Sequence, residues 1–489
     1  MKLFFLILCA PWTFCMARSS PDRIYFETDF QKEQPQPSIQ AQAPNQAPDY
    51  QLYPKTPNQS QASQSSGGFV PMYPSAAPDF PRPESSSLPQ APVVPFNQLD
   101  DDVLKLSGAV NELALNMEST FSSGADALVF SPLSVAGALG LVLLGANGRT
   151  RDEIAALLGL KAGLGYDSQG TDLIQEKITS YFLRYEDTRI GGGVTHFASG
   201  VFVQKDFPVS PTYASNLFKL YLSELQLVNF KHDGMVSAMD HINNWVANRT
   251  KGHIAQVLSS PLPADTAAVF LNVLYFEGEW ESPFCQICVR KSNFYVSPTE
   301  TVQVDLMPNV ANAYFFEDKA KGYKVLGLPY KNSNLSMFFF LSAKGPKTFL
   351  EGLHAGDILG MINRTTLQQT IYAVPKMKLE TTLELNEPLK RMGVKTMFTP
   401  TADLRGIADG IWVDSVIQKV EIEVSETGTK AAASTMISTT RHGRPTVRLD
   451  RPFIFMVYHH QLSAIVFWGT VYKPTPHFKN ASLPNRKHQ

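Results

Sequence analysis

The chain has 489 residues, 44% of them hydrophobic, enough to bury a large core. Its 43 Lys and Arg nearly balance its 44 Asp and Glu, a formal net charge of −1, which excludes bulk-charge attraction to nucleic acid or to an anionic membrane. With 4 cysteines in this length, the core and not a disulfide framework must hold the fold.

The N-terminus reads as an address. Met1-Lys2 precedes the apolar run Leu3–Ala10, and Cys15-Met16-Ala17 puts small residues where a signal peptidase cuts, so residues 1–17 are expected to be a secretory signal peptide. That run is too short to span a bilayer, and no later stretch of about 18 apolar residues follows. The expectation is a secreted, extracellular protein with no membrane partner. Residues 18–98 hold nearly half of the prolines, with abundant Gln, Ser and Ala. Such a segment cannot offset its ordering entropy and is expected to be a disordered spacer or cleavable leader.

From residue 99 the pattern turns regular. Val103, Leu106, Val110, Leu113 and Met117 recur at helical spacing and predict one buried face. Val135–Leu144 is almost wholly apolar and predicts a buried helix ending near Gly145. Phe197–Gln204, Val269–Phe276, Met337–Ser342 and Ile454–His459 predict strands, several without alternation and so covered on both faces. Helices mixed with mainly antiparallel strands make an α+β fold.

Once the signal peptide has taken Cys9 and Cys15, Cys285 and Cys288 remain, an exposed pair expected to close a small local disulfide in an oxidising compartment. Asn58, Asn248, Asn334, Asn363 and Asn480 begin Asn-x-Ser/Thr triplets and are glycosylation candidates. The sequence has no G-x-S-x-G elbow, H-E-x-x-H helix or P-loop, and its histidines are scattered. No catalysis, cofactor or metal is expected.

The most informative stretch is Glu426–Thr435, where a glutamate and a glycine open onto very small residues and no proline comes before Pro445. In an extended strand Thr429, Ala431, Ala433, Thr435 and Ile437 share one face. Lys430, Ala432, Ser434, Met436 and Ser438 share the other, whose single charge points to water. Such a segment fits between two existing strands, because proline would remove a ladder donor and a charge would be buried.

The flanking residues resemble one known family, the serpins, over about 99–475. Phe130-Ser131-Pro132-Leu133-Ser134, Asn243-Asn244-Trp245 with Gly252-His253-Ile254, and Leu271-Asn272-Val273-Leu274-Tyr275-Phe276-Glu277-Gly278-Glu279-Trp280 resemble its motifs. So do Val374-Pro375-Lys376 opening a strand, Phe398-Thr399-Pro400, Gln418–Val424 and Asp450-Arg451-Pro452-Phe453, all in the family's order. The resemblance implies three β-sheets, about nine helices and one long exposed reactive-centre loop, followed by a tail at 476–489. It further implies a monomeric suicide substrate of a serine protease, which forms a covalent acyl complex before the loop hinge inserts into the central sheet. Insertion of this kind adds a strand to an existing sheet and releases strain stored in the uncut loop. Glu426, Gly428, Thr429, Ala431, Ala432 and Ala433 then form the hinge, and Ser131, Ser134, Asn272 and Gln418 lie where the sheet opens.

Counting forward from Glu426 at the loop length usual in the family lands on His442, and counting back from Arg451-Pro452-Phe453 lands on Arg441. The Arg441 guanidinium suits the acidic pocket of a trypsin-like protease, so Arg441–His442 is the favoured bait bond. His442 and Arg444 are the alternatives, the latter weakened by Pro445 beside it. Glu277 stands where the family usually has a basic residue, Lys430 where it often has a glutamate, and Gln418 where many members have a histidine. A non-inhibitory serpin acting as a carrier is the rival reading.

Overall fold

The computed structural model describes residues 101–121, 125–160, 193–221, 223–231, 234–426, 443–476 and 478–479. In chain order they form α1 (Asp101–Thr120), β1 (Ala127–Phe130), α2 (Pro132–Leu143), α3 (Gly148–Leu157), β2 (Gly193–Gln204), α4 (Pro211–Tyr221) and β3 (Glu224–Val228). Next come α5 (Met235–Arg249), β4 (Ala268–Gly278), β5 (Arg290–Tyr295), β6 (Thr301–Asp318), β7 (Tyr323–Pro329), β8 (Leu335–Ser342), α6 (Pro346–Leu350) and α7 (Ala355–Asn363). The chain continues through β9 (Thr366–Pro375), β10 (Met377–Glu384), α8 (Asn386–Arg391), β11 (Ser415–Val424), β12 (Thr446–Arg448), β13 (Phe453–His459), β14 (Ala464–Val471) and a two-residue β15 (Phe478–Lys479). The class is α+β.

The helical spacing in α1 does what it predicts: Val103, Leu106, Val110, Leu113 and Met117 are all buried. Two polar residues are buried with them because each has a partner. Ser107 Oγ donates to the Leu462 carbonyl at 2.6 Å, and Asn111 donates to Ser463 O at 2.8 Å while accepting the Ile465 N–H. Every residue of α2 is buried, so its apolarity all round is that of a central helix. Pro132 opens it, where a missing N–H costs nothing, and the Ser131 side chain caps it by accepting the Ser134 N–H at 3.1 Å.

The three sheets that the resemblance implies form two hydrogen-bonded networks among the described residues. The larger runs β1-β14-β13-β8-β7-β6-β9-β12, with β5 and β15 also on β6. The 18-residue β6 joins what would otherwise be separate sheets: Thr301–Leu306 pair with β5, Leu306–Phe315 with β9 and Tyr314–Asp318 with β7. Pro308 breaks no ladder, because beside it the edge of β6 opposite β9 carries neither β5 nor β7. Val374-Pro375-Lys376 does not open a strand: Pro375 closes β9, and Lys376 is the single residue before β10.

The smaller sheet runs β10-β11-β4-β2-β3. Its β4 is buried from Ala268 to Phe276 because both faces are covered. Phe270, Leu274 and Phe276 face the main core, while Val269, Leu271, Val273 and Tyr275 face a second cluster under α5 with Ile242, Trp245 and Val246. Gly200 on β2 makes that cover possible. A Cβ there would stand 2.9 Å from the Trp245 ring, so only glycine lets the indole lie on the strand.

Candidate functional site

The pair at the centre of the small sheet, β11 and β4, runs parallel, in register from Ser415↔Val269 to Glu423↔Glu277. This has a geometric consequence. A chain that leaves β11 and turns back travels antiparallel to β11 and therefore to β4. Entering between them, it replaces one parallel ladder by two antiparallel ladders. The residues that follow β11 in sequence are the small, proline-free stretch.

Two side chains hold this seam from below, and they are register partners, Gln418 of β11 and Asn272 of β4. Gln418 clasps Ser131 in both directions, accepting its N–H at 2.9 Å and donating to its carbonyl at 3.0 Å. Asn272 donates to the Ser134 carbonyl at 3.0 Å and accepts the hydroxyl of Ser199 on β2. All five residues are buried. The expected sheet-opening residues Ser131, Ser134, Asn272 and Gln418 are thus brought together at the N-terminus of α2. Ser199 joins them unannounced, since only the register Ser199↔Asn272 reveals it.

At the upper end the Trp280 indole N–H donates to Ser425 O at 2.9 Å, and Lys376 pairs with Glu426 at 2.7 Å. The outer face of the seam is acidic. Glu421 pairs with Lys378 at 2.6 Å, across the strand from Glu380, which itself pairs with Lys419. The hydrogen bond to Glu421 raises the Lys378 pKa. Tyr275 donates its hydroxyl to Glu277 at 3.2 Å; burial first, then the field of Glu277, Glu423 and Glu421, pushes its pKa up. His253 stacks on Tyr275 at 4.0 Å.

Of the expected hinge, Glu426 is described, while Gly428, Thr429, Ala431, Ala432 and Ala433 lie outside the described residues, as do Arg441 and His442. Arg444 precedes Pro445, whose carbonyl accepts the Ile371 N–H at 2.9 Å and so ties the returning chain to β9. Asn248, Asn334 and Asn363 are exposed, as carriers of glycans must be; Asn58 and Asn480 lie outside the described residues. Cys285 and Cys288 are disulfide-bonded. The pair is less exposed than expected: the turn folds back so that Cys288 is buried and Ile287, 93% accessible, takes the outer position.

The sheet thus has a parallel central pair, clasped from below and followed in sequence by a stretch of small residues. Residues 108–474 match the model of the family described as Serpin (serine protease inhibitor), and the chain belongs to that family. It is 32% identical to Iripin-2 of Ixodes ricinus over 76% of this chain and 94% of the relative. It is 30% identical to Glia-derived nexin of Rattus norvegicus over 78% and 96%. The crystal structure of the mouse protein-Z dependent protease inhibitor superposes with a TM-score of 0.67 at 25% identity, covering 77% of this chain and all of that one. Most of the family are protease inhibitors, and some of the similar structures are of non-inhibitory carriers.

Proposed function

We propose that the protein is a secreted, monomeric inhibitor that traps a trypsin-like serine protease as a suicide substrate, with Arg441–His442 as the bait bond. The observation that carries this reading is the parallel β4–β11 pair, entered by no strand and continued in sequence by Thr429–Thr440. The protease serine Oγ attacks the Arg441 carbonyl. The amide to His442 breaks, the new amine takes the proton from the serine, and an ester links Arg441 to the enzyme. Freed at Arg441, the hinge from Glu426 enters the seam with Thr429, Ala431 and Ala433 inward, above Phe276, Val420 and Ile422, where a charge would not be tolerated. The bound protease is carried with it and distorted before water reaches the ester.

The test mixes the purified protein with trypsin. An SDS-resistant complex and a released peptide beginning at His442 support both the mechanism and the bond; a peptide beginning at Gly443 or Pro445 moves the bait to His442 or Arg444. Cleavage with no complex and no rise in thermal stability favours the carrier reading.

A further inference from the structure

Between the end of β4 and the start of β5 the chain crosses from the small sheet to the large one, and aromatic rings mark the crossing. The Trp280 indole stacks on Tyr330, 4.6 Å between centroids, and meets Phe284 edge-on at 5.9 Å. Phe284 in turn meets Tyr372 of β9 edge-on at 5.7 Å. All four rings are buried. Trp280 is also the residue whose N–H holds the Ser425 carbonyl, where β11 has ended and the chain leaves the seam. The position of Phe284 therefore bears on the upper end of the seam through one shared ring.

Phe284 is held from both sides along the chain. Upstream, the Asn309 amide of β6 donates to the carbonyls of Ser282 and Pro283, both at 3.1 Å. Downstream comes the Cys285–Cys288 disulfide. Without that cross-link the turn keeps two backbone hydrogen bonds, Cys288 N–H to Cys285 O at 3.0 Å and Val289 N–H to Gln286 O at 3.3 Å. A single short turn of that kind is marginal by itself. The disulfide is thus what ties Phe284 to β5, which begins at Arg290. The two cysteines differ in access. Cys288 is buried, whereas Cys285 is half-buried and is followed by the exposed Gln286 and Ile287, so a thiolate from solvent approaches at Cys285.

We infer that the Cys285–Cys288 disulfide is a redox-operated latch, opened by a dithiol reductant, that fixes Phe284 against Trp280 and thereby the hold of Trp280 on Ser425. A thiolate of the dithiol attacks Cys285 Sγ, and the S–S bond breaks with its electron pair on Cys288 Sγ, which takes a proton. The second thiol of the reagent, deprotonated, then attacks the reagent sulfur of the mixed disulfide and releases Cys285, which is protonated in turn. The dithiol is oxidised to its disulfide and the cysteine pair is reduced to two thiols. With the cross-link open, the turn frays, Phe284 leaves its edge contact more often, and the bond from Trp280 to Ser425 weakens. Ser425 precedes Glu426, where the proposed hinge begins, so a bearing of the latch on insertion rests on that reading; the latch itself does not.

The test treats the full-length protein with dithiothreitol under native conditions, finds alkylated Cys285 and Cys288 by mass, and follows amide exchange. Reduction is expected to raise exchange about five-fold in the peptides covering Glu279–Val289 and Val424–Glu426, leaving α5 and β13 unchanged. Cys285→Ala/Cys288→Ala should exchange at the reduced rate from the start and ignore the reagent. Should that variant not fold, the wild-type comparison before and after reduction decides alone. A disulfide that the reagent leaves intact in the folded protein overturns the latch. So does a rise confined to Cys285–Val289 with Val424–Glu426 unmoved. None of these readouts needs a protease or a cut loop, so failure of the latch and failure of the trapping mechanism are seen separately.

Discussion

Gln418 shows how one side chain decides whether a seam is closed. Its amide satisfies both backbone groups of Ser131, and neither residue is exposed to water that could substitute. Gln418→Leu keeps the volume and strands the buried Ser131 N–H, while the Ser131 carbonyl keeps the Val135 N–H at 3.1 Å. The expected loss is about 1–3 kcal/mol, read from the urea midpoint; a change below about 0.5 kcal/mol would mean that the clasp does not hold the native sheet. His459 on β13 makes a different kind of prediction. Its Nδ1 accepts the Leu462 N–H at 3.1 Å, and its Nε2 is buried without a hydrogen bond. Burial first, and His460 second, hold its pKa down to about 4. An unfolded imidazole titrates near ~6.5, so below that pH the unfolded chain binds a proton the native one refuses. The stability is thus whole above ~6.5 and is lost as the pH falls toward ~4, by about 3 kcal/mol in all. His459→Asn retains an acceptor for Leu462 and does not titrate. Its urea midpoint should fall less between neutral pH and ~pH 4.5 than that of the wild type; parallel curves would exclude His459 as the source.

At the scale of elements, α5 is a lid resting on β2 and β4. Its anchor is Trp245, whose ring meets Phe202 edge-on at 5.4 Å and whose N–H donates to Glu224 Oε2 at 2.7 Å. Trp245→Ala is expected to cost about 3–5 kcal/mol and to lower amide-exchange protection over Met235–Arg249 first; uniform loss across β13 and β14 would place the damage in the main core instead. These elements differ in how legible they are. The α1 face, the buried α2 and the double-covered β4 can be read directly, because period and apolarity are local properties. The span of β6 cannot, since Pro308 reads as a breaker until the open edge beside it is known. Motif alone names Ser131, Ser134, Asn272 and Gln418, yet what they do depends on pairings between residues far apart in sequence, which no window contains. Ser199, the Trp280–Ser425 bond and the Lys376–Glu426 pair belong to that same class. Glu277 stands out in the sequence as a departure from the family pattern, but only the register shows it beside Glu423, which is itself opposite Lys378.

For the whole molecule, the proposed mechanism requires that the parallel seam not be the sheet's best pairing. The segment after Glu426 could form two antiparallel ladders, and as long as it stays joined to β12, which pairs with β9 from Thr446, its far end is tethered to the other sheet. Cutting the loop removes that tether, so cleavage should be followed by a gain in stability with no ligand and no partner. The gain requires the first inward residue to be admissible. Thr429 is small and uncharged; Thr429→Arg would bring a guanidinium over Phe276 and Ile422, where no water or partner compensates it. The variant should therefore be cut by trypsin as fast as the wild type, since the bait bond is untouched. The yield of SDS-resistant complex should fall by more than about ten-fold, because ester hydrolysis then outruns a slowed insertion. Fast cutting with an undiminished complex would show that the trapping step does not pass through the seam.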